Sequence, residues 1–294
     1  MLKKIQGTLR FLTLHPFASK HLNLAIYNWL GWQFKSNIQK KPVVLPFVND
    51  AKFIVKKGMT GITGNIYAGL HEFNDMGFLL HLLREGDHFV DVGANVGSYT
   101  ILASKVRKAF TTSFEPVPST FNWLKKNTEV NDLEELVELN NQGCSNESKV
   151  LKFSKEKDTT NHVLTDADED EYIEVKTVSL DIALKHSPTL MKIDTEGFET
   201  EVLKGAQKIL QEECLLAIII ELNGSGNRYG FDENAIDTDL KGLGFFPYTY
   251  NPFDRSLTKL ETFGNENTIY IRNLEEVSYR LKKAEPFRLW NDEI

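Results

Sequence analysis

Short apolar runs alternate with amphipathic stretches from His88 onward, and this pattern predicts a parallel sheet flanked by helices. The runs predicted as five parallel strands are His88–Val92, Thr112–Phe114, Glu138–Asn141, Met191–Ile193 and Leu215–Ile220. The stretches predicted as helices are Ser98–Val106, Ser119–Asn127, Leu180–Lys185, Glu199–Glu213 and Asn234–Lys241.

Two pairs of strand-like runs interrupt this alternation. Val150–Phe153 and Tyr172–Val178 predict an inserted β-hairpin, and Phe245–Tyr250 and Asn267–Arg272 follow one another without a helix between them. Strands joined without a crossover helix are antiparallel. The expected fold is therefore α/β and Rossmann-like, with helices on both faces of a seven-stranded, mostly parallel sheet whose last strand is antiparallel.

Charge separates an N-terminal segment from the remainder of the chain. Residues 1–57 carry ten Lys or Arg against the single acid Asp50, a charge of +9, and since the chain totals −7 the other 237 residues carry −16. We predict a basic, aromatic and helical segment at 1–60, a catalytic domain at 61–273 and a C-terminal tail at 274–294. The N-terminal helices are expected either to pack on the main domain or to lie on a membrane face.

Composition narrows the class of protein. With 41% apolar and 26% charged residues the chain is typical of a globular protein. Its longest early apolar run, Leu22–Trp32, is shorter than the roughly 20 residues of a membrane span. The start of the chain also lacks the apolar run of an export signal. We expect a cytoplasmic protein, either free or peripheral to the inner face of a membrane. The acidic catalytic part argues against a nucleic-acid substrate.

A glycine turn follows the first parallel strand. Gly93 and Gly97 frame it, and a helix is expected from Ser98. A dinucleotide fingerprint would have a glycine where Asn95 stands, and Asp91 adds negative charge nearby, so a pyrophosphate is disfavoured. S-adenosylmethionine, which carries an ammonium, a sulfonium and a carboxylate, suits the turn better.

Polar residues stand at the carboxyl ends of all five parallel strands, where ligands of such sheets bind. They are Asp91, Glu115, Asn141, Asp194 and Glu221. Glu115 is expected to accept hydrogen bonds from the cofactor ribose, and Asn141 or Gln142 to border the adenine. Each of these residues has a structural alternative as a turn residue, a helix cap or an ion-pair partner.

Asp194 and Glu196 are the candidate catalytic bases. Both follow the fourth parallel strand, and two neighbouring carboxylates raise each other's pKa, which favours proton uptake near neutral pH. Glu221 is expected to line the acceptor pocket. The alternative role for Asp194 and Glu196 is to cap the helix that follows them.

Four motifs in this order resemble the FkbM family of S-adenosylmethionine-dependent methyltransferases. They are Val90-Asp91-Val92-Gly93-Ala94-Asn95-Val96-Gly97, Phe114-Glu115-Pro116, Leu180-Asp181 and Met191-Lys192-Ile193-Asp194-Thr195-Glu196-Gly197-Phe198-Glu199. The resemblance covers roughly residues 65–250. It implies a class I methyltransferase fold and O-methylation of a hydroxyl on a sugar, glycan or related secondary metabolite.

The resemblance extends the candidate site to residues ahead of the first strand. Glu72 resembles a family position before the glycine motif, and His71 lies where related folds cover the cofactor. We assign cofactor binding to Asp91, Gly93, Asn95, Gly97, Ser98, Glu115, Asn141 and Glu72, catalysis to Asp194 and Glu196, and substrate binding to Glu221 and His71.

Three alternatives stay open at this point. Asp194 and Glu196 could hold a divalent metal, which is not favoured because the histidines of a typical transition-metal site are missing from the motif. The chain could instead be an NAD-dependent oxidoreductase or epimerase, or a noncatalytic cofactor-binding scaffold. A comparison of S-adenosylmethionine binding with NAD binding distinguishes the oxidoreductase or epimerase from a methyltransferase.

Overall fold

The computed structural model describes residues 2–39, 41–154, 162–165 and 171–294. Its helices are α1 (Leu2–Leu14), α2 (Leu22–Ile38), α3 (Thr60–Ala68), α4 (Phe73–Leu82), α5 (Ser98–Ile101), α6 (Pro118–Glu129), α7 (Leu180–Ala183), α8 (Glu199–Lys204), α9 (Glu233–Gly242) and α10 (Leu274–Lys283). A π-helical turn, Leu102–Val106, continues α5, and 3₁₀ turns lie at Ile209–Gln211 and Ser225–Tyr229.

Fifteen strands complete the described structure. They are β1 (Val43–Pro46), β2 (Lys52–Val55), β3 (His88–Val92), β4 (Phe110–Phe114), β5 (Val137–Asn140), β6 (Gly143–Cys144), β7 (Val150–Ser154), β8 (Tyr172–Val178), β9 (Leu190–Ile193), β10 (Ala217–Glu221), β11 (Phe246–Asn251), β12 (Ser256–Lys259), β13 (Asn267–Ile271), β14 (Arg288–Leu289) and β15 (Asp292–Glu293).

The main sheet has the order β12-β11-β13-β10-β9-β3-β4-β5. Neighbours from β10 to β5 are parallel, and β13 is antiparallel to both β10 and β11. This confirms the predicted α/β fold and its antiparallel last strand. Because the chain runs outward from β3 to β5 and then returns to β9, the strand order reverses between β3 and β9, where ligands of such sheets bind.

The sheet has eight strands, not the predicted seven. The additional strand, β12, pairs only with β11 at the edge. Its four residues, Ser-Leu-Thr-Lys, are exposed or half-buried and carry no run of apolar side chains. An edge strand of this kind lacks the apolar periodicity by which strands are recognised in a sequence.

Apolar side chains cover both faces of the sheet, which explains the near-continuous apolar sequence of its central strands. Phe89 and Ile219 pack on one face with side chains of α4, α5 and α10. Val90 and Ile218 pack on the other with side chains of α7, α8 and α9. The site therefore stands on a three-layered, close-packed support.

The predicted hairpin insertion is present as the antiparallel pair β7 and β8. The two-residue strand β6 extends it to a three-stranded sheet, in which β6 is parallel to β8. Phe153 from this insertion and Gly143 from β6 reach the cavity described below.

Helices α1 and α2 occupy the first part of the predicted N-terminal segment, whereas β1 and β2 form an antiparallel pair in its second part, where a helix was expected. The segment packs against the C-terminal segment. The Phe17 and Trp290 rings lie 5.1 Å apart, and Leu289 is completely buried. The domain boundaries predicted at residues 60 and 273 stay a prediction. Among the described residues, no helix is both long and apolar enough to cross a membrane.

The helix predicted to reach Glu213 ends instead at Lys204, the last residue of α8. Gly205 interrupts it, because its backbone lies against the carbonyl group of Ser145 and its own carbonyl accepts a hydrogen bond from Asp181 N at 2.9 Å. The Asp181 carboxylate then accepts hydrogen bonds from the backbone N–H groups of Lys208 and Ile209. These tertiary contacts override the helical periodicity of the segment.

We expect Gly205→Ala to destabilise the fold. An added Cβ would overlap the Ser145 carbonyl oxygen, although the φ of −85° at this position suits any residue. Overpacking of this kind costs about 1–3 kcal/mol, whereas Gly242→Ala, whose Cβ would meet nothing within 4 Å, is expected to be neutral or slightly stabilising. Urea unfolding measures both variants; equal free energies of unfolding would contradict the steric explanation.

Candidate active site

A cavity of about 430 Å³ lies at the carboxyl ends of β3, β4, β9 and β10. Most of the predicted site residues line it, namely His71, Glu72, Asp91, Gly93, Asn95, Ser98, Glu115, Asp194, Glu196 and Glu221. Gly97 and Asn141 do not. The structure thus brings together residues that are up to 150 positions apart in the sequence.

Gly93 allows the ends of β3 and β9 to approach closely. Its φ is +81°, and an added Cβ would overlap the backbone oxygen of Asp194. The N–H groups of Gly93 and Ala94 both donate to the Phe114 carbonyl, at 3.0 and 2.9 Å. The missing side chain at Gly93 is therefore required by contacts within the protein and positions the turn beside Asp194.

Asp91 is buried at the end of β3 and has one free oxygen. Its Oδ2 accepts a hydrogen bond from Thr100 Oγ1 at 2.7 Å, while its buried Oδ1 has no hydrogen-bond partner. Burial raises the pKa of Asp91 to about 6, although nearby Lys192 partly opposes this shift. A ligand that brings a hydrogen-bond donor or a positive charge would satisfy this oxygen.

Glu115 both fixes the glycine turn and faces the cavity. Its Oε2 accepts from Asn95 N at 3.0 Å and its Oε1 from Val117 N at 2.9 Å. Burial raises its pKa to about 7, against the effect of these two backbone hydrogen bonds. Because a carboxylate has about four acceptor positions, two remain for a ligand.

Asn141 and Gly97 have structural contacts outside the cavity wall. Asn141 Nδ2 donates to the carbonyls of Glu115 and Pro116, at 2.9 and 3.1 Å, and so supports the strand end. An added Cβ at Gly97 would meet the Leu124 side chain. Gln142, the alternative to Asn141, lines the cavity.

Lys192 places a buried positive charge beside the acids. Its Nζ donates to Asp194 Oδ2 at 2.6 Å and lies 4.8 Å from the centre of the Tyr99 ring. Burial opposes this charge, but Asp194, Glu72 and Asp91 together raise the pKa of Lys192 above its ordinary value. Lys192 therefore remains protonated beside Asp194.

Glu72 and its neighbours form a further part of the cavity wall. Tyr99 donates its hydroxyl proton to Glu72 Oε2 at 2.6 Å. Asn65 links two further wall residues, since its Nδ2 donates to Ser98 Oγ at 3.0 Å and its Oδ1 accepts from His71 N at 2.7 Å. These bonds fix α3 and α4 against the start of α5.

Glu196 lies in a turn that the Glu199 carboxylate fixes. Glu199 Oε1 accepts hydrogen bonds from Thr195 N, Thr195 Oγ1 and Gly197 N. Glu196 and Gly197 both have positive φ, at 56° and 100°. Burial and then the charge of Asp194 raise the pKa of Glu196 to about 7, so this carboxyl exchanges protons near neutrality.

Asp194, Glu196 and Glu221 form a cluster in which one oxygen of each lies within 4.8 Å of the others. Burial and the two neighbouring carboxylates raise the pKa of Glu221, and its buried Oε2 has no hydrogen-bond partner. Three carboxylates in this arrangement could hold a divalent cation. They are equally suited to accept hydrogen bonds from the hydroxyls of a sugar.

Lys192, Tyr99 and Asn65 contribute to the site although no role was predicted for them from the sequence. Lys192 carried a detectable signal, because it is a single charge inside an otherwise apolar central strand, and such a charge is buried only with partners. Tyr99 and Asn65 gave no comparable signal, since their partners come from distant parts of the chain.

The chain belongs to a known family of methyltransferases. The methyltransferase FkbM domain matches residues 91–247, just over half of the chain, which confirms the family predicted from the motifs. The glycine turn, the β4 end and the β9 end all lie inside the matched region, whereas the two N-terminal helices lie outside it.

Two proteins to which the chain is similar are described as methyltransferases. It is 31% identical over 152 residues to the hexuronic acid methyltransferase AglP of Haloferax volcanii, a match that spans 49% of this chain and 59% of that protein. It is also similar to the crystal structure of methyltransferase FkbM from Methylobacillus flagellatus, with 16% identity, a TM-score of 0.44 and coverage of 63% of this chain and 43% of that one.

We expect Lys192 and Asp194 to be energetically coupled. Lys192→Met leaves the surrounding acids without their buried cation, so we expect the free energy of unfolding to fall by about 3–5 kcal/mol at neutral pH. The double variant Lys192→Met/Asp194→Asn should lose less than the sum of the single losses. Urea unfolding of the four proteins measures this coupling; additive losses would contradict it.

Proposed function

We propose that the protein is an S-adenosylmethionine-dependent O-methyltransferase that acts on a hydroxyl of a sugar, glycan or related metabolite. The observation that carries this proposal is the pair of buried acids, Asp91 and Glu115, which face the cavity on either side of the glycine turn. Burial raises the pKa values of both carboxyls, so a cationic ligand would favour their ionised forms. The site thus suits a ligand that is both cationic and rich in hydroxyls.

The proposed cofactor-binding residues differ in the part of the cofactor that each could bind. The unpartnered Oδ1 of Asp91 is free to accept from a ligand ammonium, and Glu115 has acceptor positions left for ribose hydroxyls. Asn95, Ser98 and Glu72 complete the proposed wall, with Gln142 on the adenine side in place of Asn141. S-adenosylmethionine would supply an electrophilic methyl group on its sulfonium.

The protein's task in methyl transfer is to align the acceptor oxygen and to take its proton. The oxygen forms a bond to the methyl carbon, the carbon–sulfur bond breaks with its electron pair on sulfur, and the hydroxyl proton goes to a base. Glu196 is better suited than Asp194 to the role of general base, because Asp194 is paired with Lys192 whereas the Glu196 carboxyl titrates near pH 7. Asp194 and Glu221 would then orient the acceptor hydroxyls.

The acceptor is proposed to be a sugar. The similar protein from Haloferax volcanii is a hexuronic acid methyltransferase, and a cluster of carboxylates suits the hydroxyls of a sugar ring. Arg228, which donates to the Glu196 carbonyl at 3.4 Å, is an exposed cation beside the cavity for an acceptor that carries a carboxylate. A screen should therefore compare glucuronate with neutral glucosides.

We propose that the reaction requires no metal ion and that the protein is cytoplasmic. Lys192 already offsets part of the negative charge beside the acid cluster. The two described cysteines, Cys144 and Cys214, are unpaired, as is usual in a reducing compartment. Full activity after chelation of divalent cations would agree with the first statement, and activity restored only by an added metal would contradict it.

Cofactor binding tests the proposed function first. We expect S-adenosylmethionine, but not NAD, to bind, and we expect Asp91→Asn and Glu115→Gln each to weaken binding by about tenfold or more, since hydrogen bonds to charged groups contribute about 1.5–3 kcal/mol. The exposed Asp239→Asn is the matched control. The affinity for S-adenosylmethionine should fall as the pH is lowered from about 8 to about 5.5, because both carboxyls take up protons in that range.

Isothermal titration calorimetry measures these affinities. Binding of NAD alone would contradict the proposal and favour an oxidoreductase. Binding of S-adenosylmethionine without release of S-adenosylhomocysteine in the presence of any sugar acceptor would indicate a noncatalytic scaffold.

Glu196→Gln tests the base. We expect kcat to fall by about 10² to 10⁴ with little change in cofactor affinity, which is the usual contribution of a positioned base. In the unsubstituted enzyme kcat should fall about tenfold per pH unit below pH 7, because the carboxyl must be ionised to accept the proton. The exposed Glu134→Gln is the control. A pH profile unchanged by Glu196→Gln would assign the base elsewhere.

A further inference from the structure

Helix α2 has an exposed apolar stripe. Its members, which we call the α2 stripe, are Tyr27, Leu30, Phe34 and Ile38, with exposed fractions of 72%, 54%, 71% and 67%. Their spacing of three and four residues places them along one side of the helix. Contiguous exposed apolar groups of this kind mark an interaction surface.

The opposite side of α2 is already used for packing. Its buried residues are Ala25, Trp29, Trp32 and Ser36. Since successive residues are about 100° apart around a helix, this buried side and the α2 stripe are about 180° apart. Gln33, on the flank, donates to Tyr67 of α3 at 2.9 Å. The helix is therefore fixed to the protein by one apolar side and presents a second one outward.

Basic groups surround one end of the α2 stripe. Lys35 on the helix and Lys41 just beyond it are exposed, and Lys57 Nζ donates to Asn37 Oδ1 at 2.5 Å. The sequence from residue 1 to 57 contains only one acid, Asp50, and the neighbouring helix α3 contains none. An apolar strip beside positive charge is complementary to a surface with anionic headgroups above hydrocarbon.

We propose that the α2 stripe binds the surface of an anionic lipid bilayer. The helix would lie in the plane of the interface, with Phe34 and Leu30 among the acyl chains and Lys35 and Lys57 at the headgroups. A symmetric pair of chains fits less well, because a twofold contact would bring two segments of charge +9 together. Electrostatic complementarity therefore favours the membrane.

This attachment is independent of the proposed function. The helix α3 lies between the α2 stripe and the site and contributes Gly61 to the cavity wall. No stripe residue lines the cavity. Substitutions in the stripe are therefore expected to change membrane binding and to leave S-adenosylmethionine binding unchanged.

Vesicle flotation of the full chain tests the proposal. The vesicles contain phosphatidylcholine alone or equal parts of phosphatidylcholine and phosphatidylglycerol. We expect the unsubstituted protein to float with the second and not the first, and Phe34→Glu to bind about tenfold or more weakly, because a buried Phe contributes about 1.5–3 kcal/mol. The matched control is Tyr279→Glu on α10, where the aromatic ring is 62% exposed.

Charge and salt supply a second measurement. Lys35→Gln and Lys57→Gln should each weaken binding by about fivefold, the equivalent of roughly 1 kcal/mol for one basic residue near an anionic surface. Raising the salt concentration should also weaken it. Phe34→Gln removes the same ring without adding a charge and should also weaken binding. It replaces Phe34→Glu if the glutamate variant proves unstable.

Three outcomes would overturn the proposal. These are no flotation with anionic vesicles, equal flotation of Phe34→Glu and the unsubstituted protein, and a dimer in sedimentation velocity that Phe34→Glu dissociates. The last would assign the stripe to a second copy of the chain. Circular dichroism and urea unfolding of each variant report whether the fold is intact.

Discussion

The buried ammonium group of Lys192 is the charge on which the carboxyl edge of the sheet depends. Strand β9 lies between β3 and β10, so Lys192 and Asp194 stand between Asp91 on one side and Glu221 on the other. Acids at neighbouring strand ends repel one another, and burial increases this cost because water no longer screens them. One central cation, held by a 2.6 Å bond to Asp194, allows several carboxyls to share a single cavity.

That single cation does not offset all of the surrounding negative charge. Burial and mutual repulsion therefore raise the pKa values of Asp91, Glu115 and Glu196 to about 6, 7 and 7. Carboxyls of this kind are partly protonated near neutral pH, so a bound cation would favour release of their protons. Ligand binding and proton release are thus linked in the proposed site, and the same repulsion that limits stability makes the groups chemically useful.

The sequence made most of the fold predictable, because its central strands are apolar and its helices amphipathic. Asp91, Glu115, Asp194 and Glu221 could be placed together because parallel strands end at one edge. The edge strand β12 and the end of α8 at Lys204 could not be predicted, since one lacks apolar periodicity and the other depends on a contact between Gly205 and Ser145. For the same reason Tyr99 and Asn65 were missed: their partners are set by tertiary structure.

The packing of Phe17 against Trp290 has a consequence for the order in which the chain folds. These rings are 5.1 Å apart in space and 273 positions apart in sequence, and His21 also pairs with Asp292 at 2.9 Å. Phe17 and His21 lie in the connection between α1 and α2, which leaves the ribosome long before Trp290 and Asp292 are made. Until then the side of Phe17 that later packs against Trp290 stays uncovered, in addition to the α2 stripe. A nascent chain in this state would be a ready substrate for a chaperone.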